Sequence, residues 1–348
     1  MKTEELSTTR LLLRSWRVED APALYALASD PKVGAAAGWP PHRSEAESLE
    51  VIRTVFAAPE TYAVVLRADG HPVGCVGLLD AAHSHFPIGA SDAEVGYWLG
   101  VPWWGQGLMT EALGALVRRA FLTLGRDTLW GGRFRENTAS RRVMEKCGFR
   151  PVRDGVVLDR DADGRERFGE ILSLTRTAWY AAQGVEVRRV SEEAVGQIRA
   201  VAAVAFPATY CELLTPAQLD YMMEWMYSEE SLRAQFRGGH VWFMAFAGGI
   251  PCGYVSVERQ GEALFHLQKI YVLPDCQGLG IGARLFRQAV AHVRAEHPGR
   301  SLMELNVNRH NRALHFYERM GMRRLREGDF PIGGGFYMND YIMGLDIE

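Results

Sequence analysis

The plainest pattern of apolar and polar positions lies in the second half of the chain. Residues 241–247 (VWFMAFA), 253–257 and 265–272 are rich in branched and aromatic side chains, which predicts β-strands. Gly248 and Gly249 supply a hairpin turn between the first two. Residues 283–296 (ARLFRQAVAHVRAE) place apolar side chains at 285, 286, 289, 290 and 293, the stripe of a helix with one buried face. Read coarsely, each half runs strand, one or two helices, three strands, helix, strand, helix and two more strands. That order predicts an α+β fold.

The halves are also related in sequence. Gly105-x-Gly107 reappears as Gly278-x-Gly280, Asn137 as Asn311, and Cys147-Gly148-Phe149 as Met320-Gly321-Met322. The offset is about 173 residues at all three places, and a constant offset marks a duplication or a fusion of two relatives, although identity elsewhere is low. A length of 348 residues agrees with two cores. The seam is expected at residues 179–184 (WYAAQG), where an apolar strand pattern ends. There Val185-Glu186-Val187-Arg188 opens a strand that echoes Leu11-Leu12-Leu13-Arg14. Two domains are predicted, 1–183 and 184–348.

Apolar residues at 47% and charged residues at 23% are ordinary for a soluble globular protein. The net charge of -3, with dibasic steps that are short and scattered, lacks the footprint of a protein that wraps nucleic acid, so no nucleic-acid partner is expected. Cys75, Cys147, Cys211, Cys252 and Cys276 lie far apart, without a C-x-x-C pair or a histidine at zinc-ligand spacing, so neither disulfides nor a metal site are predicted. The first nine residues are polar, and no apolar run reaches the ~18 residues of a membrane span. A cytoplasmic location and no membrane partner follow as the expectation.

The sharpest local feature is Gln277-Gly278-Leu279-Gly280-Ile281-Gly282, between the strand ending Tyr271-Val272-Leu273 and the helix at 283–296. Glycines there let the backbone curl close to an anion. Successive N–H groups at a helix N-terminus, with the helix dipole, then favour a phosphate or pyrophosphate without any lysine or arginine. A plain strand-to-helix turn uses similar residues. A dinucleotide-binding loop is disfavoured, because G-x-G-x-x-G is absent and the loop follows the fourth strand of its half instead of the first. A Walker loop is excluded by the missing Gly-Lys-Ser/Thr.

About 30 residues on stand Asn311, Ala313, Phe316-Tyr317 and Gly321. The glycine loop and this second motif together resemble the GNAT (GCN5-related N-acetyltransferase) superfamily, whose members bind acetyl-CoA across a splayed pair of strands. The resemblance implies two GNAT (acyl-CoA N-acyltransferase) domains in tandem, each a mixed, mostly antiparallel twisted sheet flanked by helices. It implies that Gln277 and Gly278 belong to the loop and that the amides of Leu279, Gly280, Ile281 and Gly282 hold the pyrophosphate. The strand through Tyr271 and Val272 would pair with pantetheine, and Asn311 would hydrogen-bond it. Tyr317 falls where the family has the tyrosine that protonates the departing CoA thiolate, a transfer that suits a phenol of pKa near 10 and a thiol near 8 to 9. The competing reading of Tyr317 is a core aromatic. Relatives often carry a glutamate base on the fourth strand. Here the strand reads Phe265-His266-Leu267-Gln268-Lys269, so His266 is the available titrating group, with Glu258 and Glu262 as alternatives and a structural histidine as the competing reading.

In the first half, Glu94-Val95-Gly96-Tyr97-Trp98-Leu99 with Trp103-Trp104-Gly105-Gln106-Gly107-Leu108-Met109-Thr110 resembles the RimJ/RimL branch, which acetylates N-terminal amines of ribosomal proteins. The likeness implies acetyl-CoA contacts from Leu99, from residues 105–110 and from Asn137, with Ser140 serving the leaving thiol and Glu94 as base. A helix-surface hydroxyl and a strand-end charge are the plain alternatives. Two departures stand out: Met109 replaces the usual Gly or Ala and is expected to crowd the pyrophosphate, and Met144 stands where the second half has Tyr317. Trp98, Trp103 and Trp104 suit either the wall of an acyl-pantetheine tunnel or a plain core.

Residues 205–210 and 219–226 look like the acceptor-covering helices of PaiA-type polyamine acetyltransferases, with Glu212, Asp220 and Glu224 placed to attract a cationic amine. The expected activity is metal-free transfer of acetyl from acetyl-CoA to a primary amine, a small molecule or a protein N-terminus, by direct attack in a ternary complex in the second half. The first half is then a second enzyme with its own acceptor or a non-catalytic CoA-binding scaffold. The sequence leaves the acceptor and the oligomeric state open.

Overall fold

The computed structural model describes residues 4–160 and 166–348, which divide into two compact units, Met1–Trp179 and Tyr180–Glu348. In the first unit, strands β1 (Leu6–Ser7) and β2 (Leu11–Arg14) lead into helices α1 (Ala21–Ala28), α2 (Pro31–Ala37) and α3 (Glu45–Thr54). Strands β3 (Thr61–Leu66), β4 (Pro72–Leu79) and β5 (Ala93–Leu99) follow, then α4 (Leu108–Leu122), β6 (Thr128–Phe134), α5 (Thr138–Lys146), β7 (Arg150–Arg160) and β8 (Glu166–Thr175). Helix α6 (Arg176–Ala182) occupies the seam, where the sequence pattern had suggested the end of a strand.

The second unit repeats the order with β9 (Val185–Val190), α7 (Val195–Tyr210), α8 (Pro216–Tyr227), α9 (Glu229–Arg237), β10 (Val241–Ala247), β11 (Ile250–Arg259) and β12 (Leu264–Val272). It closes with α10 (Ile281–Glu296), β13 (Ser301–Asn308), α11 (Leu314–Arg319), β14 (Arg323–Gly333) and β15 (Phe336–Ile347). Three helices follow the opening strands of each unit, not one or two. The extra ones are as short as Pro31–Ala37, seven residues started by the Asp30 side chain on the Lys32 amide and ended at Gly38 with φ 87°. A stretch of two turns made of small residues leaves no periodic stripe to read. The Gly248-Gly249 turn forms as expected, with φ of 57° and 81° joining Ala247 to Ile250.

The sheets run β1-β2-β3-β4-β5-β6-β8-β7 and β14-β15-β13-β12-β11-β10-β9. Each is antiparallel except at one junction, β5–β6 or β12–β13, which is parallel. This is the mixed, mostly antiparallel α+β architecture expected. Strand β4 is buried over seven of its eight residues, as it must be with helices on both faces. Cys75 of β4 packs with α1 and α3 residues and with Trp98 on one face. Met144 of α5 meets Gly131 and Val95 on the other.

The parallel junction positions the site. Strands β5 and β6 share only Ala93–Leu129 and Glu94–Trp130 before they diverge. Strands β12 and β13 share only Leu264–Leu302, Phe265–Met303 and His266–Glu304. Beyond these rungs the backbone groups facing the gap have no strand to pair with, and an extended ligand can complete the ladder.

Candidate active site

Each glycine loop adopts the same backbone. Gly105 and Gly107 have φ of 75° and 77°, and Gly278 and Gly280 have 78° and 75°, so left-handed residues alternate with ordinary ones directly before α4 and α10. That alternation turns successive N–H groups to one side as an anion-binding nest. A side chain braces each loop: Gln277 Nε2 donates to the Val272 carbonyl at 3.2 Å, and Trp104 Nε1 donates to the Leu99 carbonyl at 2.7 Å. Gln277 and Trp104 thus close the strand end.

In the second unit a cavity of about 1020 Å³ opens between the diverging strands. Gly278, Gly280, Ile281 and Gly282 line it, as do Tyr271 and Val272, Asn311 and Tyr317; Leu279 is half-buried and off the wall. Asn311 Oδ1 accepts from the Ala313 amide at 2.8 Å and starts the turn into α11. Burial raises the Tyr317 phenol above its ordinary pKa and keeps it protonated at neutral pH. Of the carboxylates expected to attract an amine, Glu212 lines the cavity, whereas Asp220 and Glu224 are exposed on α8 away from the lining.

His266 sits on the last rung before the splay. Its Nε2 lies 3.1 Å from Asn306 Oδ1, and Asn306 Nδ2 donates to Asp340 Oδ2 at 3.4 Å. Facing a carbonyl oxygen, Nε2 carries the proton; Nδ1 then bears the lone pair and is buried without a partner. Burial lowers the His266 pKa, so the ring is neutral near pH 7. Glu258 is partly buried, but the Gln260 and Gln268 amides at 3.0 and 2.6 Å hold its pKa low. Glu262 is exposed in the turn before β12. Lys269, its pKa pushed down by burial to about 8, donates to Gln235 Oε1 at 2.7 Å.

Asp340 was not visible in the sequence. It is 3% exposed, Oδ1 has no partner, and burial pushes its pKa up to about 6. A raised carboxyl pKa favours folding at low pH, and that contribution is lost as pH rises from the unfolded value near 4 through 6. Wild type minus Asp340→Asn stability is therefore expected to fall by about 2 to 3 kcal/mol between pH 4 and 7. Urea unfolding of both chains across that range checks it; a flat difference would place the carboxyl in water.

In the first unit the expected residues are arranged differently. Glu94 is buried, and both oxygens are taken: Oε2 accepts from Ser84 Oγ at 2.8 Å and the His85 amide at 2.7 Å, and Oε1 lies 3.0 Å from His85 Nδ1. Ser140 Oγ is 2.9 Å from the hydroxyl of Tyr97, a phenol whose pKa burial raises. Asn137 caps α5 through the Ser140 amide and donates to the Ala36 carbonyl at 3.2 Å. Leu99, Leu108 and Met109 are buried, Thr110 is half-buried, and Gly105, Gln106 and Gly107 are exposed. With 5% exposure, Met109 packs inward instead of standing over the loop amides as expected. Trp98 stacks on Trp16 at 6.3 Å, Trp103 faces His71 at 5.7 Å and Trp104 braces the loop, so the three tryptophans have separate neighbours.

Among the described residues no helix is long and apolar enough to cross a membrane, and no group of three or more His, Cys, Asp or Glu is placed to hold a metal ion. Two family models, each described as an acetyltransferase (GNAT) domain, match residues 10–150 and 213–330. The chain is 27% identical over 157 residues to the uncharacterized N-acetyltransferase YoaA of Bacillus subtilis, covering 44% of this chain and 85% of that protein. It is 26% identical over 170 residues to the uncharacterized N-acetyltransferase p20 of Bacillus licheniformis, covering 47% and 90%. A GNAT-family acetyltransferase structure from Bacillus anthracis superposes with a TM-score of 0.44 at 20% identity, covering 50% of this chain and 99% of that one.

Proposed function

Because the chain belongs to the GNAT acetyltransferase family in both of its units, we propose that the second unit moves an acetyl group from acetyl-CoA to a primary amine by direct attack in a ternary complex. One observation carries this reading. A single cavity is walled by the glycine loop, the open edges of β12 and β13, Asn311 and Tyr317. The loop amides suit the pyrophosphate, the unpaired edge of β12 suits the pantetheine amides, and Arg312 and Arg319 on the same wall suit a further phosphate. Acetyl-CoA supplies the activated acyl group; the chain positions it and moves protons.

Tyr317 gives its proton to the departing thiolate. His266 stands off the cavity wall with its Nδ1 buried, so it takes the amine's proton only by way of water, its orientation held by Asn306 and Asp340. Glu212 on the wall favours a cationic acceptor, either a small amine or a protein N-terminus. The first unit, with the same loop backbone, is also assigned an acetyl-CoA site. We set the domain boundary at 183/184, since α6 ends at Ala182 and the compact units part inside that helix.

Direct attack predicts intersecting initial-velocity lines when acetyl-CoA and an amine are varied, with thiol release as the readout. Parallel lines with an isolable acetylated chain, or no amine-dependent release, would sink the reading.

A further inference from the structure

We propose that the first unit is a second acetyl-transfer site in which His85 is the proton acceptor and Glu94 the residue that orients it. The inference rests on the acetyl-CoA reading of the Gly105–Gly107 loop. It begins with the segment joining β4 to β5, which is tied to β5 and to β6 where those two strands part. On β5, Glu94 accepts from Ser84 and from the His85 amide. On β6, the Phe86 ring covers Gly132, where an added Cβ would come 3.3 Å from Cε1. Glu94 pairs with Trp130, and Gly132 lies two residues further on the same face. His85, between these anchors, is therefore held across the gap between the strands.

The imidazole is 72% exposed, while the Glu94 side chain is 8% exposed. Nδ1–H donates to Glu94 Oε1 at 3.0 Å, which fixes the tautomer and leaves the lone pair on Nε2. Nε2 has no hydrogen-bond partner among the described residues. The Glu94 hydrogen bond raises the His85 pKa against the opposing effect of partial burial. Among the other groups on this face, Asp80 is engaged with His83 at 2.7 Å, and β6 and β7 present Gly132 and Leu158. A buried carboxylate that already accepts three hydrogen bonds is less available to an incoming amine than the exposed imidazole it orients.

The opposite face supplies the acid. Tyr97, one residue from Gly96, points to the α5 side, and its hydroxyl is bonded to Ser140 Oγ at 2.9 Å. This phenol comes from the strand, which answers the loss of the helix tyrosine at Met144. Between Glu94 and Trp98, Gly96 leaves open space: a Cβ there would meet nothing within 4 Å. An amine can thus approach on the His85 face while the thiol departs on the Tyr97 face. The ammonium gives one proton to His85 Nε2. The amine lone pair then forms the C–N bond as the C–S bond breaks. The thiolate takes a proton from the Ser140–Tyr97 pair, which recovers one from water, while the new amide nitrogen gives its extra proton to water on the His85 face. His85 returns its proton to water.

The test uses the full chain with the second unit's loop disabled by Gly280→Val, and benzylamine, spermidine and a short peptide with a free N-terminus as probes. His85→Gln is expected to lower amine-dependent thiol release about 100-fold, and Glu94→Gln about 10-fold, with CoA binding by calorimetry unchanged. Imidazole NMR of His85 should titrate above the ordinary histidine value in the parent and lower in Glu94→Gln, with the rate profile following it. An unchanged rate in His85→Gln, or no thiol release with any probe, overturns the proposal. If the Gly280→Val chain binds no CoA, the acetyl-CoA reading of the first unit fails and the proposal with it. Failure of the second unit's reading shows separately, as an undiminished rate on replacing Tyr317.

Discussion

Replacing Tyr317 by Phe is expected to lower the second unit's turnover by about 100-fold or more while CoA affinity stays within about threefold. The ring is buried at 8% exposure, packs 5.3 Å from Phe316 and lines the cavity, and phenylalanine keeps all of this. Only the O–H is lost. Burial raises the phenol pKa, so the wild-type proton is present throughout the neutral range, and the thiolate leaving into the same cavity needs it. The rate is best measured in a chain whose first loop is disabled by Gly107→Val, a branched residue at a φ of 77°. An unchanged kcat would leave Tyr317 a core aromatic; a loss carried entirely in KM would make it a binding residue.

The loop and the helix after it were legible because their chemistry is local. Glycines at left-handed positions and a capping asparagine sit within a few residues of the groups they serve, so spacing alone exposes them twice. The rest depended on chain returns that spacing does not encode. Glu94 was found as a charge on the fourth strand, but its meaning comes from Ser84 and His85, brought back by a segment with no periodicity. Tyr97 stood inside a recognised motif, yet its partner Ser140 lies 43 residues on and touches it only through the packing of α5 on the sheet. Asp340 and Asn306 meet His266 across three neighbouring strands, and a single carboxylate within the largely apolar strand Phe336–Ile347 gave no signal of its partners. Even the repeat was partly hidden. Gly74 opposes Leu99 and Gly253 opposes Val272, the same rung in each unit, where a Cβ on Gly74 would strike the Trp98 carbonyl and one on Gly253 would come 2.8 Å from the Tyr271 carbonyl. The offset between these glycines differs from that of the loops, so only the ladder aligns them.

That alignment sharpens a stability prediction in the first unit. Glu170→Ala is expected to cost about 3 to 5 kcal/mol, because it strands a buried guanidinium. Arg133 and Glu170 face each other on β6 and β8 with side chains 5% and 9% exposed, joined at 2.9 and 2.6 Å, and Arg133 also donates to the carbonyls of Phe134 and Arg135. Counting from the last parallel rung, Glu94–Trp130 or His266–Glu304, the same position in the second unit is Val307 opposite Tyr341. The fold thus already accepts an apolar pair there. Replacing both residues, as Arg133→Val with Glu170→Tyr, is accordingly expected to lie within about 1 to 2 kcal/mol of wild type, since removing both charges leaves neither unpaired. Thermal unfolding of the full chain should show the single variant lowered by roughly 6 to 20 °C in the transition of the first unit, and the double variant restored. Equal losses in both would mean that the ion pair is needed for shape and not merely paired to cancel its own charge. Arg133 also lies within electrostatic reach of Tyr97, so the double variant tests whether the Tyr97–Ser140 pair works without a buried cation beside it.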